Sequence, residues 1–140
     1  VGQSIPVIAF INVWRHVGFS TLLLVAGLEA IPATLYEAAR IDGASNWKQF
    51  RYVTIPMLKP FLLFVTVTGV VGSLQIFDTI AVTTQGGPGG ATRVLMWYIY
   101  EVAFQRFSFG YATTLALALF VIAVVASIIQ FRLLGRDNRG

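Results

Sequence analysis

Few side chains in this 140-residue chain can do chemistry, and most of them stand among apolar neighbours. There is one histidine, His16, and no cysteine, which removes thiol catalysis, disulfide frameworks and cysteine-ligated zinc together. A lone imidazole with no second ligand at a suitable spacing does not hold a metal, so no metal site is expected. Glu29, Asp78 and Glu101 stand isolated at the borders of apolar runs, and no acid–base or nucleophile–base pair has convincing spacing. The run "GGPGG" at 86–90 lacks the Gly-Lys-Ser/Thr of a phosphate cradle and reads as a turn-rich loop. Neither catalysis nor a cofactor is expected of this chain.

What remains is polar chemistry inside oily segments. Arg15 and His16 interrupt an apolar run, and charge in such a place is costly enough to make both functional candidates. Arg15 either snorkels or pairs with an acid on a partner helix. Asn12, His16 and Phe19 follow one another at spacings of four and three, which puts them on one helical face. Ser73 and Gln75, near the end of a second apolar run, are comparable candidates. Such residues either line a polar path or make hydrogen bonds between helices.

The densest polar patch is "YEAARIDGASNWKQFRYVTIPMLKP", residues 36–60, with Glu37, Asp42, Arg40, Lys48, Arg51 and Lys59 between two hydrophobic runs. "TLYEAARI" is a good helix former, and Gly43 after Asp42 suits the left-handed position beyond a helix end. Ser45 is a candidate N-cap for a second helix, "NWKQFRYV", predicted to stop before Pro56 because the residue preceding a proline disfavours the α region. The patch therefore reads as two short helices forming an arm. Ala38 and Ala39 keep one face of it low, with Glu37 and Asp42 at its edge. It is either a docking knob for another protein or a solvated loop.

The elements that must carry these residues are membrane helices. The chain is 56% hydrophobic and only 11% charged, with a mean hydropathy of +0.75. Soluble domains hold about 25% charged residues. Runs at about 5–30, 58–78 and 109–132 approach the ~20 apolar residues that cross a bilayer. The net charge of +4 is scattered at the borders of these runs, the pattern of a membrane protein and not of a nucleic-acid binder. The segment "RVLMWYIYEVAF QRF", 93–107, is too short to span and reads as an interfacial helix with aromatic anchors. Small residues at Gly69, Gly72 and Ser73, and at Ala112 and Ala116, are expected to form helix–helix seams.

Lys and Arg set the orientation. The joint 32–57 with Lys59 carries four, and the tail carries Arg132, Arg136 and Arg139, whereas the longer joint 79–108 carries only Arg93 and Arg106. The 32–57 joint and the C-terminus are thus expected in the cytoplasm, and the glycine-rich joint outside. The fold class is all-α, a polytopic bundle of three spans. The opening Val1 and the thinness of a three-helix bundle suggest part of a longer protein with partner helices.

"EAARIDGAS" followed by "FRYVTIPMLKP" resembles the cytoplasmic EAA loop of permease subunits in binding-protein-dependent ABC importers. Glu37-Ala38-Ala39, Asp42-Gly43, Phe50, Ile55 and Pro56 carry the match, with Ile55 where Leu is commoner. "GLEAIP", "FDTIAVTTQGGPGGAT", "YEVAF" and "FGYA" extend it over nearly the whole chain. They are similar to the carbohydrate-type branch, near the first permease of maltose-like and glycerol-3-phosphate-like systems, of which this chain would be the C-terminal part.

The resemblance implies that Glu37, Ala38, Ala39, Asp42 and Gly43 form coupling helices that sit in a groove of a separate ABC ATPase subunit. It also implies that "NVW", 12–14, and Phe19 line a translocation path for a sugar or sugar-phosphate. Expected partners are the ATPase subunits, a second permease chain in a heterodimer, an extracytoplasmic solute-binding protein and the lipid bilayer, but no nucleic acid. The expected location is a bacterial or archaeal cell (inner) membrane. Two rivals stand beside this reading. An ion-coupled secondary transporter calls for mid-span carboxylates, which are lacking, and a non-transport membrane anchor needs neither a polar face nor the EAA match.

Overall fold

The structure is a computed structural model, and it describes residues 4–135. Arg136 and Arg139, which entered the charge count, lie outside the described residues. Every regular element described is helical: α1 Ser4–Glu29, α2 Ala33–Ile41, α3 Asn46–Gln49, α4 Ile55–Leu74, α5 Asp78–Thr83, α6 Leu95–Tyr100 and α7 Phe109–Gly135. Two π-helical turns, Phe50–Thr54 and Glu101–Gln105, extend α3 and α6. Three helical stretches, Ser4–Glu29, Asn46–Leu74 and Phe109–Gly135, are long and apolar enough to cross a membrane.

The second of these corrects an expectation. The helix does not stop before Pro56: α3, the π turn and α4 form one rod from Asn46 to Leu74. Pro56 lacks an N–H and its ring crowds the carbonyl four residues back, which favours a break in a tight helix. Here the turn immediately before it is widened, with the Ile55 N–H donating to the Phe50 carbonyl. Pro56 then falls in the first turn of α4, where its missing donor is harmless.

The core sits at seams between these rods. α4 packs along α7 and against α1. Gly27 makes the lower α1–α4 contact: a Cβ placed on it would lie 2.8 Å from the Phe61 ring and 2.9 Å from Leu58 Cδ2. Beyond the other end of α4, Ile8, Ile80 and Trp97 form a buried cluster with Phe77 and Tyr100 packed on it. Val102, Ala103 and Ala112 form a second cluster that fixes the π turn Glu101–Gln105 to α7. Gly69 and Gly72 contribute to no such seam, since a Cβ on either would meet nothing within 4 Å. They border a cleft instead. Ala112 is buried as a seam residue, but Ala116 is exposed.

Candidate functional site

The arm 33–54 is built from its own backbone outward. α2 ends in a full Schellman closure: the Gly43 N–H donates to the Arg40 carbonyl at 3.0 Å and the Ala44 N–H to the Ala39 carbonyl at 2.9 Å. Gly43 has φ +75°, the left-handed conformation its position predicts. Ser45 holds the N-cap backbone position of α3 without a side-chain cap bond. The buried Gln49 donates from Nε2 to the Ala44 carbonyl at 2.9 Å instead. The Tyr36 and Thr54 hydroxyls lie 2.9 Å apart, tying α2 to the π turn. Two helices that sequence alone joins only by a turn are therefore cross-braced.

The braces leave one side bare. Glu37, Ala38 and Asp42 are exposed, and Ala39 is half-buried. Around them Ile41 is 87% exposed, Trp47 72% and Tyr52 74%, with the Trp47 ring 5.8 Å from that of Phe50. Large apolar groups presented on a braced, charged arm form a surface shaped for contact with another body.

α4 carries this arm upward to a cleft. Between α1 and α4 lies a space of about 460 Å³ bordered by Asn12, His16, Phe19, Thr68 and Ser73. Four of the five predicted path residues thus meet at one place. Gln75 does not join them. The α-helix ends at Leu74, Gln75 is its exposed C-cap, and its side chain borders a different groove against α7.

The cleft's hydrogen-bonding state follows from its bonds. Asn12 Nδ2 donates to the Ile8 carbonyl at 3.2 Å and to Thr79 Oγ1 at 3.3 Å. His16 Nδ1 lies 2.9 Å from the Asn12 carbonyl, and because a carbonyl only accepts, Nδ1–H is the donor. Ser73 Oγ donates to the Val70 carbonyl at 2.8 Å, and Thr68 Oγ1 to that of Phe64 at 2.8 Å. The amide of Asn12, the Nδ1–H of His16 and the hydroxyls of Thr68 and Ser73 are spent on the protein, while the Ser20 hydroxyl at the cleft makes no hydrogen bond among the described residues. Asn12 Oδ1 and the hydroxyl lone pairs remain to accept hydrogen bonds. Apolar walls with a few convergent polar atoms are the usual make-up of a small-molecule site.

Three acids read as isolated divide once folded. Arg15 pairs with Asp78 of α5 at 3.4 Å, which settles its two sequence readings in favour of pairing. Glu101 accepts from Arg93 Nε at 2.7 Å and from Arg106 at 2.6 Å. The hydrogen bond from Arg106, then that from Arg93, holds the Glu101 carboxyl below the usual glutamate range, and Glu101 raises Arg106 in return. Arg93 lies over the Tyr98 ring at 4.6 Å. This clamp fastens the far end of the glycine-rich loop to α6, which runs as helix over 95–105 with its π turn and not over all of 93–107. The Arg15–Asp78 pair, 63 residues apart, leaves no local sequence signal, and neither does the Gly27 contact. Among the described residues no group of three His, Cys, Asp or Glu is placed to hold a metal.

Comparison with known proteins agrees with this geometry. The sequence pattern of "Binding-protein-dependent transport system inner membrane component" matches residues 1–136. The lactose transport system permease protein LacF of Rhizobium radiobacter is 41% identical over 121 residues, 84% of this chain and 41% of that protein. The putative ABC transporter permease protein ORF1 of Caldicellulosiruptor sp. (strain Rt8B.4) is 38% identical over 90% of this chain and 94% of its own length. The trehalose/maltose transport system permease protein MalF of Thermococcus litoralis is 39% identical over 94% of this chain and 44% of its own. The chain thus spans less than half the length of the lactose and trehalose/maltose relatives.

Proposed function

The chain belongs to the inner membrane components of binding-protein-dependent transport systems, and we propose that it forms part of the substrate path of an ATP-driven sugar importer, moved by an ATPase subunit docked on the arm 33–54. One observation carries this reading. The rod Asn46–Leu74 begins in the arm with the exposed Trp47 and Tyr52 and ends beside the cleft, and α2, which carries the coupling residues, is tied to it by the Tyr36–Thr54 hydrogen bond. A displacement that reaches Asn46, across the braced turn 42–45, is passed along one helix to Thr68 and Ser73.

Coupling is assigned to Glu37, Ala38, Ala39, Asp42 and Gly43, with ATP hydrolysed on a separate chain. Asn12, His16, Phe19 and Ser73 are assigned to the path; Gln75 would meet the substrate only if the path widened towards α7. A cleft with free hydroxyl and amide oxygens fits a hydroxyl-rich cargo, and the names of the lactose and trehalose/maltose relatives support a sugar or sugar-phosphate. ATPase subunits, a second permease chain in a heterodimer and an extracytoplasmic binding protein complete the proposed assembly. The arm and the C-terminus are assigned to the cytoplasm on the Lys and Arg count. Neither α4 nor α7 contains an Asp or Glu, which weighs against ion-coupled transport and keeps that alternative second.

The test is a Gly43→Pro permease that still assembles with its ATPase. Proline cannot adopt φ +75°, so the Schellman closure is lost. Sugar uptake is expected to fall to background while ATP hydrolysis persists; uptake that remains coupled refutes the assignment.

A further inference from the structure

The end of the bundle away from the arm holds a second space, which the transport reading does not use. It measures about 890 Å³ and lies among α5, the loop that follows it and α6 with its π turn. Phe77, Trp97 and Tyr100 border it, with ring centroids 5.1 to 5.8 Å apart. Gln85, Gln105 and the clamp of Arg93, Glu101 and Arg106 border it as well. Gln85 is held in the left-handed region at φ +50°, its N–H donating to the Ile80 carbonyl at 2.7 Å. The loop beyond it is closed by the fully buried Thr92, whose Oγ1 lies 2.8 Å from Thr84 Oγ1 and donates to the Gly87 carbonyl at 2.8 Å. The loop also rests on an aromatic wall, since a Cβ on Gly86 would stand 2.6 Å from Trp97 Nε1. These walls are set in advance of any ligand. Their polar groups are largely unused. The side-chain amides of Gln85 and Gln105 make no hydrogen bond among the described residues, nor does the indole N–H of Trp97, a residue only 7% exposed. Arg93 gives Glu101 two N–H groups and Arg106 gives it one, so each guanidinium keeps donors to spare.

We propose that this space binds a neutral saccharide, as a holding site at the mouth of the cleft. Its walls select that occupant. A sugar ring has an apolar C–H face that packs on aromatic rings, and a rim of hydroxyls that both donate and accept. The two free amides offer both roles, and the indole and guanidinium N–H groups donate. No unshared charge calls for an ion, because both arginines are already paired with the Glu101 carboxylate. An apolar ligand would leave the amides and the indole N–H without partners. Consecutive residues join the two spaces: Ile76 borders the cleft and Phe77 borders this one. The holding role rests on the transport reading, whereas binding rests on these walls alone.

Equilibrium binding of radiolabelled lactose, maltose and trehalose to the purified, full-length assembled transporter provides the test, without nucleotide or solute-binding protein. At least one of the three sugars is expected to bind saturably. Gln85→Ala with Gln105→Ala should weaken that binding about tenfold or more, through the loss of two amide partners. Both side chains are exposed and unbonded, so thermal unfolding should not move. Thr68→Ala with Ser73→Ala, which alters the cleft instead, should leave the affinity within about twofold. Absence of saturable binding for all three sugars overturns the proposal. So does an equal loss in the cleft variant, an undiminished affinity in the glutamine variant, or displacement of the sugar by inorganic phosphate. Binding is read without ATP or uptake, so its failure is distinct from a failure of the transport reading.

Discussion

Gly43 and Gly27 are both glycines in helical surroundings, yet they are needed for different reasons and only one announced itself. A side chain on Gly43 would meet nothing within 4 Å, so its requirement is conformational. Gly43→Ala is expected to cost about 1 kcal/mol through the left-handed backbone alone, and Gly43→Asn distinctly less, because Asn tolerates that region. Coupled uptake should follow the same order, with Asn partly rescuing the loss seen with Ala. Gly27 is needed for space. Gly27→Ala forces its Cβ against Phe61 and Leu58, and overpacking of this kind costs about 1–3 kcal/mol. Thermal unfolding of the purified permease should register that loss, and substrate affinity should change as α1 is levered away from the cleft. The Gly43 signal is local, a helix former followed by a turn residue, and was legible. Nothing in the sequence separates Gly27 from Gly18, which lies in the same apolar helix with open space around it.

The rod Asn46–Leu74 is where reading by element goes astray and where the mechanics reside. Pro56 correctly marks a disturbance, but tertiary bracing by Tyr36–Thr54 and Gln49–Ala44 keeps the chain helical through it. The proline signal is local; the braces are contacts made by the folded arm. Pro56→Ala supplies the missing N–H and lets the π turn relax towards α geometry. Loss of one inserted residue would turn the arm by about 100° relative to α4. Uptake per ATP hydrolysed is expected to drop, with the stability of α4 unchanged or improved. The clamp of α6 behaves differently. Because Glu101 is held below its usual range, its ties to Arg106 and Arg93 are complete at neutral pH and are lost only as pH falls through that lowered value. In a permease in which every tryptophan but Trp97, Trp14 and Trp47 included, is replaced by Phe, Trp97 emission should stay constant through the ordinary carboxylate range and change below it. Glu101→Gln should show the acid-like emission at every pH.

For the whole molecule, composition settled the class and helical spacing settled one wall of the cleft. Asn12, His16 and Phe19 share a face because α1 is regular over that stretch, and they do meet Ser73. Gln75 fails because the helix ends one residue before it and its side chain borders the groove against α7. The second wall and the Gly27 contact come from α1 meeting α4, the Arg15–Asp78 pair from α1 meeting α5, and no single segment encodes such a meeting. The Gly27 contact holds α1 to α4 at one end of the cleft and the Arg15–Asp78 pair holds α1 to α5 beyond the other, so movement of α4 by the arm is expected to change the space between α1 and α4. Residues 1–140 hold no cysteine, so once any cysteine elsewhere in the assembled transporter is replaced, a pair introduced at Val17 and Val70 gives two unique sites for spin labels. The decisive measurement is the distance between them in the assembled transporter, with and without trapped ATP. A nucleotide-dependent change in the wild type that vanishes in Gly43→Pro is the predicted result. A distance indifferent to nucleotide, or an unaltered response in Gly43→Pro, would contradict the link from arm to cleft.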